Sequence, residues 1–326
     1  MQKYSNHCYF ETEHTIIKFC ISLDSNFNKK LKREDNEFLK NFIKVSFGNK
    51  FNKIIDNLPD NIESLSLGNN FNQSVDNLPK KLRYLTLGDS FNYPVDNLPK
   101  SLTNLKFGNN FSQEVANLPM GLKELKFGND FCQDVNNLPS SLLNIVFGYS
   151  FNKSVERLPD KLVSLSFGHC FNQPVNNLPE SIEHLSFGND FDQRVDNLPK
   201  AIEYLNFGKS FNQPVDKLPP NIETLSFGRR FNHSVNNLPK RLTRLILSDC
   251  IFDQPIDNLP SNLEYLELGY EFRQKIDKLP NSLIEIRLPG NYQYDIDNLP
   301  DTIEIIHIVK QKEGKDFDRE IKKFPG

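Results

Sequence analysis

Histidine and cysteine are the side chains best suited to metal binding or nucleophilic catalysis, so their spacing is the first test for chemistry in this chain. The six histidines are His7, His14, His169, His184, His233 and His307. None of them pair at ligand spacing, and a metal shared by His169 and His184 would require displacement of the turn between them. We therefore predict that the chain holds no metal and no cofactor.

The five cysteines are Cys8, Cys20, Cys132, Cys170 and Cys250. Their number is odd, they are far apart, and no CxxC pair occurs. Only Cys8 and Cys20 are close enough in sequence to suggest a bridge, which a reducing compartment disfavours. The thiols are interpreted as buried or incidental.

Catalytic motifs are absent from the sequence. It contains no GxSxG elbow, no phosphate-binding glycine loop, no HExxH and no kinase signature. Its glycines recur at a fixed interval and are interpreted as a structural column. The sequence therefore predicts a protein that is not an enzyme and has no catalytic residues.

Composition and charge narrow the function classes further. The 326 residues include 39 basic and 42 acidic side chains, for a net charge of -3. This balance argues against nucleic-acid binding, which usually leaves a basic excess. No apolar stretch approaches the roughly 18 to 20 residues of a membrane-spanning helix, and the first residues lack the positive charge of a secretory signal. We expect a cytoplasmic protein, and the bias toward Phe (27 residues) without Trp indicates a repeated phrase.

The repeated phrase is FNQPVDNLP, followed by a segment such as NIESLSLG. Thirteen copies begin at the aromatic residues Phe51, Phe71, Phe91, Phe111, Phe131, Phe151, Phe171, Phe191, Phe211, Phe231, Phe252, Phe272 and Tyr292. The spacing is 20 residues, apart from one extra residue near Cys250 and Ile251. Each copy has the same six apolar positions, which in the first copy are Phe51, Ile55, Leu58, Ile62, Leu65 and Leu67.

The spacing of these positions predicts a leucine-rich-repeat-like solenoid. The pattern LxxLxL, ending at Leu65 and Leu67, is typical of a strand whose alternate residues point inward. Twenty residues leave too few for a helix on the return path, where Pro59 also favours extended backbone. We therefore predict a parallel β-sheet of about 14 short strands on the concave face, an irregular convex face and little helix. Gly68 and its equivalents mark the turn that leaves the strand.

The domain organisation follows from where the repeat begins and ends. Residues 1–41 are predicted to form an N-terminal cap, with a strand through Ile17, Phe19, Ile21 and Leu23 and a degenerate repeat at Phe27 and Asn28. Residues 42–308 form the solenoid. Residues 309–326 form a C-terminal capping segment, in which Phe317, Ile321 and Phe324 have the spacing of a short amphipathic helix.

Two positions of the repeat are usually Asn, and they differ in the residues that take the place of Asn in some copies. The residue after each aromatic, as at Asn52, is replaced by small residues such as Ser112 and Cys132, which predicts an inward ladder of side-chain hydrogen bonds. The residue before each Leu-Pro, as at Asn57, is replaced by Arg157 or Lys217. Long cations are not readily buried, so this second column is predicted to face water.

The outward strand positions, equivalent to Ser64 and Ser66, are free to vary with a binding partner. Tyrosine provides large contact area at low entropy cost, so Tyr84, Tyr149, Tyr204 and Tyr265 are candidate anchors. Lys106 beside Lys126, with Arg83 and Lys123 nearby, forms a basic patch that is either a partner site or a solvated face partly neutralised by Glu124. His184 and Arg244 occupy the same outward column and complete the candidate set. The acidic row Glu183, Glu203 and Glu223 suits a partner that carries both charges.

The phrases FNQPVDNLP and LPxSLxxLxFG resemble the FNIP repeat, a short relative of the leucine-rich repeat. The resemblance covers about residues 42 to 308. It implies a protein of social amoebae or of giant viruses that infect amoebae, with a role in protein–protein interaction. Many members carry an N-terminal F-box, but residues 1–41 lack its Leu-Pro-x-Glu opening and its helical pattern, so that role is not carried over.

Three functional hypotheses follow. The first is a monomeric, non-catalytic scaffold that binds a host or cellular protein on the concave sheet. The second is a substrate-recognition subunit of a ubiquitin ligase, with a divergent N-terminal segment that recruits the ligase. The third, an enzyme, has no motif in its favour.

Overall fold

The computed structural model describes residues 20–312 and 315–322, with side chains for residues 20–309. The chain divides into two compact units, Met1–Leu162 (unit 1) and Val163–Gly326 (unit 2). Ile17 and Phe19, predicted to lie in an N-terminal strand, and Phe324, predicted to lie in a C-terminal helix, fall outside the described residues.

Unit 1 contains a parallel sheet whose strands follow one another in chain order. The strands are β1 (Cys20–Ser22), β2 (Lys44–Ser46), β3 (Ser64–Ser66), β4 (Tyr84–Thr86), β5 (Asn104–Lys106), β6 (Glu124–Lys126) and β7 (Asn144–Val146). One helix, α1 (Arg33–Leu39), lies between β1 and β2 in sequence and is the only helix in the described ranges. Little helix was predicted, and this part of the prediction is confirmed.

Unit 2 continues the same pattern. Its strands are β8 (Ser164–Ser166), β9 (His184–Ser186), β10 (Tyr204–Asn206), β11 (Thr224–Ser226), β12 (Arg244–Leu247), β13 (Tyr265–Leu268), β14 (Glu285–Pro289), β15 (Ile305–Lys312) and β16 (Lys315–Lys322). The strands β8 to β15 are parallel, and β16 is antiparallel to β15. Strands β2 to β15 correspond to the roughly 14 strands predicted, so the predicted fold class is confirmed.

The 20-residue period sets the register of the sheet. Leu65 pairs with Leu85, and Ser64 and Ser66 pair with Tyr84 and Thr86. Identical repeat positions therefore lie side by side and form columns. Strand alternation sends the Leu65 column inward and the Ser64 and Ser66 columns outward, and Leu65 and Leu85 are buried accordingly.

The core is a stack of aromatic rings, because each turn places its first Phe against the Phe of the next. The rings of Phe51 and Phe71 lie 6.2 Å apart and nearly parallel, and those of Phe71 and Phe91 repeat this distance. Where a Phe follows the strand, it stacks on the Phe that begins the next copy, as Phe107 does on Phe111 at 3.7 Å. Neighbouring turns thus bury apolar surface that one turn alone would leave exposed.

The glycine that follows each strand is required by close backbone approach. A Cβ added at Gly128 would collide with the carbonyl oxygen of Gly108, and one added at Gly108 would collide with that of Gly88. The sequence predicted a turn at this column. The structure shows in addition that the missing side chain is what allows successive turns to touch.

The asparagine ladder is present, but its predicted direction is wrong. Asn52 Oδ1 accepts a hydrogen bond from the backbone N–H of Asn72 at 3.0 Å, and Asn72 Oδ1 accepts one from Asn92 at 3.0 Å. These side chains are half-buried or exposed. The ladder lies at the rim of the turns, since its partners are backbone amides of the neighbouring turn. The second column, at Asn57, faces water as predicted.

Residues 20–41 pack on the first full turn. The Phe27 ring stacks 5.8 Å from the Phe51 ring, and Asn28 Oδ1 accepts a hydrogen bond from the Asn52 N–H at 3.0 Å. Phe27 and Asn28 thereby occupy the places of a repeat's Phe and Asn. In α1, Asp35 accepts a hydrogen bond from the backbone N–H of Lys32 at 2.9 Å, and Leu39 is buried.

The C-terminal segment differs from the predicted short helix. Residues Lys315–Lys322 form β16, in which Ile321 pairs with Ile306 and Asp318 with Val309. The four-residue spacing of Phe317 and Ile321 suits one helical turn and also two repeats of a strand. Pairing with β15 decides between them, because β16 satisfies backbone groups at the edge of β15.

Candidate protein-binding surface

The outward face of the sheet consists of the two strand columns equivalent to Ser64 and Ser66. In unit 1 this face carries Tyr84 on β4, Lys106 on β5, and Glu124 and Lys126 on β6. Tyr84 is 47% exposed, and both lysines and Glu124 are exposed. Four of the predicted site residues therefore lie within three adjacent strands.

Lys106 and Lys126 pair directly across β5 and β6. Like charges in this position are mildly destabilising. Neither lysine forms an ion pair with any residue in the described part of the chain. Arg83 and Lys123, which precede β4 and β6, are likewise exposed and without an ion pair there. We call these four residues the unit 1 basic patch.

Glu124 forms no ion pair with a cation of the patch in the described part of the chain. Its Oε2 atom accepts a hydrogen bond from Asn104 Nδ2 at 2.6 Å. Asn104 in turn accepts a hydrogen bond from the Thr103 hydroxyl at 2.8 Å. The carboxylate is therefore held along its own column, where its charge offsets part of the patch, and neither lysine has an ion-pair partner among the described residues.

Tyr149 lies away from this face. It occupies the turn that follows β7 and is 50% exposed. It therefore belongs to the edge of the sheet where strands end, and the structure does not bring it together with Tyr84 and the lysines.

In unit 2, His184 on β9 and Tyr204 on β10 are neighbours. Their ring centroids are 6.2 Å apart with tilted planes, and Tyr204 is 40% exposed. Glu183 and Glu203, which precede these strands, are also exposed. Glu223, in the same row, forms an ion pair with Arg241 at 2.9 Å. Part of the predicted acidic row is therefore already neutralised within the chain.

Tyr265 is not an exposed anchor, and the prediction for this residue is wrong. The Arg244 guanidinium lies 3.6 Å from the centroid of its ring, and the Tyr265 hydroxyl donates a hydrogen bond to Glu267 at 2.9 Å. Only 6% of Tyr265 is exposed. Burial, reinforced by the Glu267 charge, raises the pKa of Tyr265 well above its ordinary value. Its outward position is correct, but the neighbouring side chains cover it.

The polar side chains around Tyr265, namely Arg244 and Glu267, have further polar neighbours that sequence reasoning did not select. Glu285 Oε1 lies 3.2 Å from His307 Nε2 and 3.5 Å from Arg287 Nε. These residues occupy the outward columns of β14 and β15, adjacent to Tyr265 and Glu267. Their alternating charges in register were the available signal. Both cations in the outward columns of unit 2, Arg244 and Arg287, thus have partners within the chain.

The described residues show no arrangement suited to a metal ion. No group of three or more His, Cys, Asp or Glu side chains within them is placed to bind one. His169 Nε2 lies 3.4 Å from a carboxylate oxygen of Asp190, and its Nδ1 lies 2.9 Å from Asn189 Nδ2, which are contacts of a structural kind. The described part of the chain also includes no helix long and apolar enough to cross a membrane.

The fold and its outward surface define a leucine-rich-repeat-like solenoid protein. Comparison with known families is more specific. The chain belongs to the FNIP-repeat family, whose model, FNIP Repeat, matches residues 51–90, 71–110, 91–130, 133–170, 171–210, 211–250 and 252–291. The predicted resemblance is thus confirmed.

Solved structures similar to the chain include the following two. One is the crystal structure of CroV588, a giant-virus protein described as a novel circular LRR protein, with 33% identity, a TM-score of 0.75 and coverage of 91% of this chain and 51% of that one. This chain thus spans about half the length of that neighbour. The other belongs to the Drosophila Toll–Spatzle complex, with 13% identity, a TM-score of 0.67 and coverage of 88% and 46%. At that identity the likeness shows the fold alone. A search of curated proteins finds no match.

Proposed function

We propose that the protein is a non-catalytic scaffold that binds a partner protein on the outward face of its sheet. Repeat folds of this class commonly mediate protein–protein interaction through such extended surfaces. The proposal places the protein in the cytoplasm as a monomer, bound to a host or cellular protein.

One observation carries the proposal. The inward columns repeat the same apolar residues, whereas the outward columns hold exposed Tyr84 and the pair Lys106 and Lys126, without ion-pair partners among the described residues, in unit 1, and exposed Tyr204 in unit 2. A destabilising pair of like charges adds nothing to the fold. A partner that supplies carboxylates would neutralise the pair, and tyrosine would add contact area at low entropy cost.

Affinity capture from amoebae that express the tagged chain tests the proposal. The test variant carries Lys106→Glu, Lys126→Glu, Tyr84→Ala and Tyr204→Ala together. The control variant carries Lys153→Glu and Lys161→Glu, two exposed cations outside the outward columns. We expect a partner that copurifies with the wild type and the control and is lost from the test variant. A partner retained by the test variant would place recognition on the return path or at a cap.

The ubiquitin-ligase hypothesis receives no support from the described N-terminal residues. Residues 20–41 contribute β1, α1 and the Phe27 ring that stacks on Phe51, so they are part of the repeat fold. The role of the first 41 residues in recruiting a ligase stays a prediction. Recovery of cullin-ligase subunits in the same capture, and their loss when residues 1–19 are removed, would favour it.

A further inference from the structure

The unit 1 basic patch differs from the other cations on the outward columns of the described residues. In unit 2, Arg244 lies over the Tyr265 ring and Arg287 contacts Glu285. In unit 1, Lys106 and Lys126 have no such partner among the described residues, and Glu124 is engaged by Asn104. Among the outward-column cations of the described residues, Lys44 on β2, Arg244 and Arg287 each have a contact within the chain, so the unpaired positive charge lies on β5 and β6, with Arg83 and Lys123 at the entry to β4 and β6.

The spacing of these cations sets the spacing of the carboxylates that would match them. Adjacent strands lie about 4.8 Å apart, so Lys106 and Lys126 are separated by about that distance at the backbone. Arg83 and Lys123 occupy the same repeat position two turns apart, which corresponds to about 9.6 Å, and their row lies three residues, or about 10 Å, from the row of Lys106 and Lys126 along the strands. A complementary segment that crosses the strands therefore needs acidic groups at about these two intervals.

An α-helix meets both intervals more closely than an extended strand. Helical residues at i and i+4 are about 5 to 6 Å apart, and residues at i and i+7 are about 10.5 Å apart along the axis. An extended strand presents same-face residues about 6.7 Å and then about 13 Å apart. For the second interval, of about 9.6 Å, one strand spacing is too short and the next too long by about 3 Å. The helix spacing is too long by only about 1 Å.

We propose that the unit 1 basic patch docks an acidic α-helix of a partner protein, laid across β4 to β6 with carboxylates at i, i+4 and i+7. Tyr84, exposed on β4, contacts the apolar part of the same helix face. This inference rests on the proposed function and names the partner's chemistry for that surface. The long side chains reach the helix from the two rows, and the helix supplies negative charge beyond that of Glu124.

Synthetic peptides test this directly. The first probe is an alanine-rich helical peptide with glutamates at i, i+4 and i+7, and the matched control is an isomer whose glutamates are spread around the helix. Calorimetry at low salt compares the wild-type chain, Lys106→Gln with Lys126→Gln, and the control Lys153→Gln with Lys161→Gln. We expect the patterned peptide to bind more tightly than its isomer. Its binding should be on the order of tenfold weaker with the lysine variant, since exposed ion pairs are modest, and unchanged with the control.

Three results would overturn the inference. Equal binding of both peptides would show that charge alone, without helical pattern, is recognised. Equal losses of peptide affinity in the test and control variants would show that the unit 1 basic patch has no specific role in binding the peptide. Competition by a duplex oligonucleotide as strong as that of the patterned peptide would indicate a general anion surface. If the peptides fail while the captured partner still depends on Lys106 and Lys126, the proposed function stands and only the acidic-helix proposal falls.

Discussion

The side-chain oxygen Oδ1 of Asn52 lies 3.0 Å from the backbone nitrogen of Asn72, which donates to it. The same oxygen accepts a second hydrogen bond from Gln73 Nε2 at 2.9 Å. One short side chain thus joins two donors of the next turn. The contact to the backbone N–H recurs along the column, as when Asp253 Oδ1 accepts from the Arg273 N–H at 2.8 Å.

Removal of one ladder oxygen should destabilise the neighbouring turn. In Asn72→Ala the backbone N–H of Asn92 loses its acceptor, and we expect a loss of about 1 kcal/mol in the free energy of unfolding. Asn72→Asp keeps an oxygen in place, as Asp192 does for Asn212, and should lose clearly less. Urea unfolding of both variants checks this. Equal losses would show that the ladder bond adds nothing to stability.

The aromatic stack should be the main source of stability in each turn. Phe151 is fully buried and stacks 3.8 Å from Phe147 and 6.1 Å from Phe131. Phe151→Ala should reduce the free energy of unfolding by about 3 to 5 kcal/mol, as large core truncations do. Lys153→Ala, two residues away and exposed, is the control. A loss below about 1 kcal/mol at Phe151 would be inconsistent with its place in the core.

The glycine column should not tolerate a methyl group. A Cβ at Gly128 meets the Gly108 carbonyl, and backbone has little room to move, so Gly128→Ala should cost about 1 to 3 kcal/mol through overpacking. Gly121 provides the matched control, because a Cβ there lies 3.4 Å from its nearest atom, the Lys100 carbonyl oxygen. Thermal unfolding of both variants decides the matter. Similar midpoints would refute the role of close approach.

Stability and binding should change in opposite directions at the basic patch. Lys126→Glu converts the like-charge pair with Lys106 into an opposite-charge pair across β5 and β6. We expect a gain of about 0.2 to 1 kcal/mol in the free energy of unfolding, together with weaker binding of an acidic partner. The gain should shrink as salt is added, because exposed charges are screened. A destabilised Lys126→Glu variant would show that the lysines do not repel each other.

Cys250 should be the least reactive of the described thiols. Its Sγ atom donates to the Leu247 carbonyl at 2.9 Å, and burial raises its pKa from 9.0 to about 12. The raised folded pKa contributes stability in full below about pH 9, and this contribution is lost as the pH rises toward 12. Alkylation near pH 8, read by mass spectrometry, should modify half-buried Cys132 and Cys170 before Cys250. Early modification of Cys250 would contradict its burial.

The repeat columns could be predicted because a fixed period repeats each environment many times. Strand alternation at Leu65 and Leu67, the outward position of Lys106 and Lys126, and the exposed Asn57 column follow from that period. The sequence correctly predicted the hydrogen bonds of the ladder at Asn52, but it did not predict that these side chains are half-buried or exposed. Small replacements at this column reflect the limited room between turns, which the sequence alone does not distinguish from burial.

The parts that could not be predicted depend on particular neighbours. Tyr265 has the same repeat position as Tyr84, yet it is covered because the preceding turn carries Arg244, which lies over its ring. The same position in the turn before Tyr84 holds Ser64, too short to do this. At the C-terminus, β16 forms through pairing with β15, a contact that the four-residue spacing of Phe317 and Ile321 does not specify.

The uniform register of the turns also bears on how a gene for such a protein changes length. Because Leu65 meets Leu85 as Leu85 meets Leu105, loss or duplication of one 20-residue block rejoins surfaces that already fit. The extra residue near Cys250 is absorbed in a turn, and Leu247 still pairs with Leu268. Unequal recombination can therefore lengthen or shorten the array by whole blocks, and the outward columns can diverge afterwards without loss of the core.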